Sequence, residues 1–192
     1  LVVRDGGIPV VIGQTVNFGT IYLISAKGLW QQFQHEDLRQ FDERDCQNFL
    51  DSWRQAYPGF FDWVEEISAE ARRTGMVRNM FGRLRFVPEI NSSLKYVREA
   101  GIRQAVNAPI QSGAGDILKM GMHKVHMLSK RWREDYGIVC RFLLQVHDEI
   151  IFEVEDEYLP IIAPQFHEAL VTAVELSVPL RADVEVGKNW KE

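Results

Sequence analysis

One stretch near the carboxyl end constrains the fold more than any other: Leu143-Leu144-Gln145-Val146-His147-Asp148-Glu149-Ile150-Ile151-Phe152-Glu153-Val154. Two runs rich in β-branched, leucine and aromatic residues flank a three-residue polar tip, which predicts a β-hairpin within a sheet. His147, Asp148 and Glu149 then lie where the chain reverses. Carboxylates at such a tip can hold a hard cation, because two strands fix their oxygens. An acidic turn that only ends a hairpin is the commoner explanation of three such residues, so the choice depends on the remaining sequence.

The bulk composition is that of a folded protein. A length of 192 residues fits one or two domains, and 46% hydrophobic residues suffice for a core. No run is long and apolar enough to span a bilayer, and no secretory leader is recognisable, so we expect a cytoplasmic location, or the host cytoplasm if the gene is viral. Cys46 and Cys140 show no metal-ligand spacing, which favours a reducing compartment. The first methionine is Met76, so we expect these residues to be part of a longer protein.

Charge is distributed unevenly along the chain. From Ala71 to Gln104 there are eight basic residues and two acidic ones, whereas from Leu144 to Glu192 there are eleven acidic residues and three basic ones. A basic segment beside an acidic one suits a polyanion held near a carboxylate metal site. Two ordinary solvated faces of opposite charge explain the same counts equally well.

The amino-terminal half has mainly helical patterns. Residues 1 to 13 contain three glycines and Pro9, which makes a continuous helix improbable there. A helical pattern runs from Gln14 to Gln34, Asp42 is expected to cap the next helix, and a third begins at Pro58 and ends at Gly75. These segments predict packed helices.

The middle of the chain combines a short hairpin with two helices. Residues 76 to 87 contain alternating, β-prone side chains on both sides of a Phe-Gly-Arg turn. This pattern predicts a hairpin, which carries Arg83 and Arg85. With Asn91 and Ser92 as caps, a helix is predicted to run to about Asn107, where Pro109 breaks it, and a second begins near Gln111. Three polar residues are spaced by four across this break and share one side: Arg103, Asn107 and Gln111. They need hydrogen-bond partners, and before any resemblance is considered a structural network is favoured over a ligand.

The last two elements complete the predicted fold. After the central hairpin a helix is predicted over residues 157 to 176, and an alternating strand over Val178 to Val186. Helices and antiparallel strands segregated along the chain indicate an α+β fold.

Several short motifs taken together resemble the family A DNA polymerases, the DNA polymerase I type. The resemblance covers about residue 14 to the end, and motifs in a fixed order at matching separations are far more specific than any one motif. The motifs are Asn17-Phe18-Gly19-Thr20-Ile21-Tyr22, Tyr57-Pro58-Gly59, Phe81-Gly82-Arg83, Arg103 through Gln111, Gln145 through Glu149, and the closing Ser177-Val178-Pro179-Leu180 and Gly187-Lys188-Asn189-Trp190.

The resemblance implies the fingers and part of the antiparallel palm sheet of a right-hand polymerase, an incomplete fold. It implies a junction over residues 1 to 13, a fingers-like part with the basic hairpin over 14 to 104, and a palm-like part with the carboxylate hairpin, motif C, over 105 to 192. In such enzymes a primer 3′-oxygen attacks a deoxynucleoside triphosphate. Two Mg²⁺ ions held by carboxylates stabilise the negative charge on the attacking and leaving oxygens. The partners implied are that triphosphate and primer-template DNA, in replication or repair.

The resemblance also implies roles for individual residues. Asp148 is implied as a ligand of the catalytic Mg²⁺, with Glu149 supporting the site and His147 near the primer end. Phe18 and Tyr22 match aromatic residues that pack against the incoming nucleotide and template base, and Gln14 stands where the family has a phosphate-binding lysine. Contacts to primer-template DNA are implied for Arg103, Asn107 and Gln111, and the charge pattern adds Arg83 and Arg85.

The sequence departs from the family pattern in three places. Gln14 replaces the lysine, Val10 replaces an arginine, and the aspartate of the other carboxylate strand, motif A, has no counterpart in these 192 residues. We therefore expect an upstream polymerase segment to supply motif A and the thumb, because one carboxylate hairpin cannot hold two ions alone. The leading hypothesis is the carboxyl-terminal part of a template-directed DNA polymerase that is inactive by itself.

Two other hypotheses stay open. The changes at Gln14 and Val10 favour a non-catalytic remnant that binds DNA or a partner subunit. A carboxylate-metal nuclease built on Asp148 and Glu149 is weaker, because Asp116 and Asp183 are the only other obvious ligands and neither lies in a recognisable motif.

The charge pattern yields a testable prediction. DNA binding by the folded chain should fall steeply with salt and map to residues 71 to 104, with a log-log slope of about 0.9 for each duplex phosphate neutralised. Arg83→Ala or Arg85→Ala should weaken binding with little dependence on DNA sequence, as measured by titration at several salt concentrations. A flat salt response would instead indicate two unrelated charged faces.

Overall fold

The computed structural model describes the backbone of residues 8 to 36 and 38 to 189, and the side chains of the same residues from 12 onwards. Helices dominate, and the strands form two separate antiparallel hairpins, which is an α+β arrangement as expected. The helices are α1 (Ile8–Ile21), α2 (Ala26–His35), α3 (Glu43–Ala56), α4 (Pro58–Thr74), α5 (Lys95–Tyr136) and α6 (Leu159–Val171), with a 3-10 helix at Pro88–Asn91. The strands are β1 (Met76–Arg78), β2 (Leu84–Phe86), β3 (Arg141–Val146) and β4 (Glu149–Glu153).

Several predicted helix ends are confirmed. Asp42 caps α3 with a full capping box, in which its side chain accepts from the Asp45 amide and the Asp45 carboxylate accepts from the Asp42 amide. Pro58 lies in the first turn of α4, where its missing N–H costs nothing. Gly75 ends that helix in the left-handed conformation.

The prediction for the start of the chain is wrong where the structure describes it. A helix was judged improbable before Gln14, yet α1 begins at Ile8 and includes both Pro9 and Gly13. Pro9 is accommodated because it lies in the first turn, where the backbone amide has no helical partner. The rest of that prediction, residues 1 to 7, lies outside the described residues. The single pattern from Gln14 to Gln34 is in fact two helices, separated at residues 22 to 25, where Leu23 has a φ of 56°.

Pro109 does not break the long helix. α5 is 42 residues long and passes through Pro109 without interruption, so the helix end predicted near Asn107 and the helix start predicted near Gln111 do not exist. Asn91 belongs to the 3-10 helix and does not cap α5. A proline inside a helix costs about 3 kcal/mol. Burial of Ala105, Val106 and Val125 along α5 offsets that cost.

Two predictions at the carboxyl end need correction. The last helix is shorter than expected, and the strand predicted over Val178 to Val186 is absent, since residues 178 to 187 have no regular structure and Val178, Val184 and Val186 are exposed. An alternating segment becomes a strand only when a neighbouring strand accepts its hydrogen bonds, and the described residues provide none there.

The chain divides into two compact units at Ser112 and Gly113, within α5. The functional boundary expected at residues 104 and 105 stays a prediction, because a division by packing does not assign fingers or palm. In the first unit α4, the β1–β2 hairpin, the 3-10 helix and the start of α5 share one core, and α1 to α3 share another. In the second unit the β3–β4 hairpin packs with α5 and α6. None of the described helices could cross a membrane.

Both cysteines belong to these cores. Burial raises the pKa of the Cys46 thiol, and neighbouring carboxylates on Asp45, Asp42 and Glu43 raise it further. Burial likewise raises the pKa of Cys140, partly opposed by Arg133. Both thiols are therefore neutral near pH 7 and act as small apolar groups.

Gly101 allows the 3-10 helix to lie directly against α5. A Cβ at this position would be 2.5 Å from the Ile90 nitrogen and 2.8 Å from the Glu89 carbonyl carbon, both of which are backbone atoms that cannot rotate away. Only glycine fits this approach.

We therefore predict that Gly101→Ala lowers the free energy of unfolding by about 1–3 kcal/mol, the usual cost of overpacking. Gly115→Ala in the same helix is the matched control, because a Cβ there meets nothing within 4 Å. That control should raise the stability by about 0.5–1 kcal/mol through helix propensity. Urea unfolding of both variants measures the difference, and equal effects would contradict the close approach.

Candidate functional site

An open cleft of about 450 Å³ lies beside the carboxyl end of α1 in the first unit. Three of the residues that line it have predicted roles: Phe18 and Tyr22 against the nucleotide and template base, and Arg103 against primer-template DNA. Arg103 comes from α5, some eighty positions away in the chain, so the fold and not the sequence creates this grouping. The cleft therefore offers two aromatic rings and one guanidinium to a ligand.

Phe18 lies on the exposed side of α1, whose opposite side is held against its neighbours. Thr15 and Val16 are buried, and the Thr15 hydroxyl donates to Glu36 Oε2 at 2.7 Å. Trp53 Nε1 donates to Asn17 Oδ1 at 2.8 Å and so fixes α1 to α3. With the helix fixed in this way, Phe18 remains 61% exposed and lines the cleft.

The wall of the cleft depends on a glycine that the motif contains. A Cβ on Gly19 would lie 2.8 Å from Ile24 Cγ2, so a side chain there would displace the segment after α1. Ile24, Ser25 and Gln32 also line the cleft, and sequence reasoning did not single them out. Ser25 had one usable signal, since it caps α2 by accepting from the Gly28 amide at 3.1 Å.

Gln14 lies one helical turn before Phe18 and is half-buried. Residues 14, 18 and 22 are spaced by four, so Gln14 shares the side of the helix that leads to the cleft. It is a neutral amide where the resemblance implies a cation. The side chain of Val10, the other departure, lies outside the described residues.

The three polar residues spaced by four lie on one continuous helix. Arg103 and Gln111 are exposed and Asn107 is half-buried, and no hydrogen bond joins their side chains among the described residues. Asn107 Oδ1 is buried and has no hydrogen-bond partner there. Leaving a carbonyl oxygen in this state costs about 1–3 kcal/mol. The internal network that the sequence alone favoured is therefore absent among the described residues.

The carboxylate tip lies on the β3–β4 hairpin of the second unit. Val146 pairs with Glu149, so the turn contains two residues, His147 and Asp148, and not the three that the sequence predicted. His147 has a φ of 52°, a conformation in which histidine is enriched among the larger residues. The Gln145 side-chain amide donates to the His147 carbonyl oxygen and closes the turn.

The tip is exposed while the base of the hairpin is anchored. His147, Asp148 and Glu149 are all exposed to solvent. The Phe142 and Phe152 rings meet at 5.4 Å, and Phe152 packs on Phe166 of α6 at 4.9 Å between ring centroids. The core thus holds the strands and leaves the carboxylates accessible to an approaching ligand.

The tip fits a magnesium site in ligand type but not in ligand number. Carboxylate oxygens are the donors that Mg²⁺ prefers. Within residues 8 to 36 and 38 to 189, however, no three His, Cys, Asp or Glu side chains form a group that could hold a metal ion. Asp116 is buried and Asp183 is exposed, and neither forms such a group with the tip within the described residues.

Arg83 and Arg85 lie on the predicted β1–β2 hairpin, which is confirmed. The Asn79 side chain organises its loop by accepting from the Phe81 and Arg83 amides at 3.0 and 2.9 Å. Both arginines are exposed. Of the eight basic residues in segment 71 to 104, Arg98 alone is half-buried, and it donates to the Ser92 carbonyl at 3.0 Å. The segment thus presents a cationic surface.

Comparisons with known proteins identify the family of the chain. The family model described as DNA polymerase family A matches residues 12–192. DNA polymerase I of Pseudomonas aeruginosa is 35% identical over 93% of this chain and 18% of its own length. The thermostable DNA polymerase I of Thermus thermophilus is 37% identical over 92% of this chain and 20% of its own.

A solved structure gives the same result. The POL domain of Pol1 from M. smegmatis, in complex with DNA primer-template and dNTP, superposes with a TM-score of 0.76 at 33% identity. The match covers 89% of this chain and 28% of that one. The chain spans about a fifth of the length of the curated relatives it matches. Because the family model covers nearly all of it, the chain belongs to DNA polymerase family A.

Proposed function

We propose that this chain is the fingers and part of the palm of a template-directed DNA polymerase, which adds deoxynucleotides to a primer 3′ end by two-metal phosphoryl transfer. The observation that carries the proposal is the grouping of Phe18, Tyr22 and Arg103 around one cleft. Exposed aromatic rings suit the faces of bases, and a guanidinium suits a phosphate. The relative in M. smegmatis was solved with DNA primer-template and dNTP, and that pairing of ligands supports the same partners here.

Each residue then has a positioning role. Phe18 and Tyr22 hold the incoming nucleotide and the template base by contact with their rings, and Arg103 and Gln111 bind the adjacent primer-template. Asn107 lies between them on α5 and contacts the same DNA through the part of its half-buried side chain that is exposed. These contacts orient the reacting groups and add no chemistry of their own.

The carboxylate tip is proposed as one side of the catalytic centre. Asp148 and Glu149 present ligands for Mg²⁺, and His147 lies beside them at the primer end. When bound, the divalent ions offset the charge that develops on the attacking and leaving oxygens. The hairpin provides only part of the ligand set. A further segment bearing the motif A aspartate completes it, so the 192 residues alone should not extend a primer.

One observation favours a second function. Gln14 provides no positive charge at the position implied for binding the triphosphate, so the chain could have kept DNA binding and lost catalysis. Such a remnant would bind primer-template in the cytoplasm and leave synthesis to another protein.

The Asp148→Asn variant tests the enzyme hypothesis. With motif A supplied by an upstream family A segment, the substitution should abolish primer extension, because it removes a metal ligand. DNA affinity should stay nearly unchanged, since the carboxylate makes no phosphate contact. Extension is measured with a labelled primer, and binding with the same DNA. Asp156→Asn, another exposed carboxylate of the second unit, is the control and should retain activity. Full extension by the Asp148 variant would refute the assignment.

The Gln14→Lys variant tests whether this position limits catalysis. Hydrogen bonds to charged groups are worth about 1.5–3 kcal/mol, so the neutral amide should cost about ten- to a hundredfold in incorporation. Lysine should recover much of this loss, chiefly in kcat/KM for the nucleotide. The control Gln31→Lys adds the same charge at an exposed position of α2 and should change little. If lysine at position 14 gives no gain, the hypothesis that Gln14 weakens phosphate binding is excluded. Gln14 is then explained either by a chain that binds DNA without catalysis or by a partner that replaces this segment.

A further inference from the structure

The β1–β2 hairpin has one buried face and one open face. Val77 pairs with Arg85, and Val77 is buried in the core of the first unit. The other two pairs, Met76 with Phe86 and Arg78 with Leu84, point to the opposite side. We call Met76, Arg78, Leu84 and Phe86 the outer hairpin face. Phe86 is 65% exposed there and Leu84 is also exposed, whereas Met76 is half-buried, so the apolar groups on the β2 side of this face have no cover.

The outer hairpin face lies in a segment with a strong positive charge. Residues 71 to 88 contain five arginines and no aspartate or glutamate. Arg72 and Arg73 are exposed at the end of α4, directly before β1, and Arg78 is exposed within the face. An exposed aromatic ring in an arginine-rich segment complements a nucleic acid strand whose bases are unstacked. Duplex DNA keeps its base faces covered and can use only the charges.

The hairpin is joined rigidly to the cleft. The Val87 amide donates to the Gly75 carbonyl at 2.8 Å, which closes the end of the hairpin. The 3-10 helix follows at once and lies against Gly101, two positions before Arg103 of the cleft wall. Val77, Val87, Ile90 and Val106 share one core, so hairpin and cleft cannot move independently.

We propose that the outer hairpin face binds the single-stranded template beyond the templating base, with one unpaired base stacked on Phe86 and the adjacent phosphates neutralised by Arg78 and its neighbours. This inference rests on the proposed function, since it assumes that a template reaches the cleft. It goes further by assigning a function to a surface that the duplex does not need. The upstream polypeptide is the other possible cover for this face, and the experiment below distinguishes the two.

The test compares two DNA ligands on the 192-residue chain by fluorescence anisotropy. One is a blunt primer-template duplex, and the other carries a template overhang of about six unpaired nucleotides, within the range that such surfaces bind. The overhang should increase the affinity for DNA. Phe86→Ala should weaken the affinity for the overhang ligand by a factor of about five to a hundred, the usual effect of losing one stacked base. Phe86→Trp should preserve the gain. Tyr136→Ala removes an equally exposed aromatic from the second unit and should leave both affinities unchanged.

Salt titration adds an independent measurement. Arg78→Gln should lower the log-log salt slope for the overhang ligand by about 0.7, the value for one phosphate of a single strand, and leave the slope for blunt duplex unchanged. Circular dichroism should show that each variant is folded, because the substituted side chains are exposed.

The outcomes separate the two hypotheses. If blunt duplex binds and the overhang adds nothing, or if Phe86→Ala weakens both ligands equally, the inference is overturned and the proposed function stands. If an upstream segment, added in trans, abolishes the overhang gain without affecting blunt binding, the face belongs to an interface between polypeptides and the inference is also overturned. If the chain binds neither ligand, both proposals fail.

Discussion

The contact between the 3-10 helix and Gly101 is the constraint on which the first unit depends. Backbone packs directly on backbone there, with no side chain between them to adjust. This fixes the start of α5 against the segment that leaves the β1–β2 hairpin, and so fixes Arg103 in the wall of the cleft. The position of Arg103 in the cleft thus depends on the absence of a side chain at Gly101.

Exposed apolar side chains and buried unpaired polar atoms occur in the regions that we assign to nucleic acid, and they occur elsewhere as well. Phe18 and Phe86 are exposed, but so are Met80, Tyr96 and Val178, and Ser68 Oγ is buried without a partner just as Asn107 Oδ1 is. Exposure alone therefore does not mark a binding site. The proposed roles of Phe18 and Phe86 depend instead on their surroundings, which are a cleft that Arg103 lines for the first and an arginine-rich segment for the second.

Local patterns predicted local structure well. The capping box at Asp42, the proline start of α4 and both hairpins follow from rules that act within a few residues. Failures occurred where tertiary packing overrides a local rule. Pro109 should end a helix, but burial on both sides of it keeps α5 intact. The alternation of apolar and polar residues from Val178 to Val186 is typical of a strand. A strand also needs a neighbouring strand to accept its hydrogen bonds, and no local rule predicts whether one is present.

The candidate site shows the same limit. Motif order predicted binding roles for Phe18, Tyr22 and Arg103, but only the fold shows that they share a cleft. Ser25 and Gln32 were missed because cleft walls carry no periodic signal in the sequence. The unpaired state of Asn107 could not be predicted either, since it depends on the surroundings of one atom.

The β3–β4 hairpin contains one irregularity with a wider consequence. Phe142 pairs with Phe152 and Leu144 with Ile151, so Leu143 is an extra residue with no opposite partner. A bulge of this kind reverses which side of the ladder the following side chains face. The orientation of the carboxylates at the turn is thus set five residues away, by the length of β3 and not by its composition. Deletion of a single position in β3 would remove the bulge and turn the side chains that follow it, including the acidic tip, toward the opposite face.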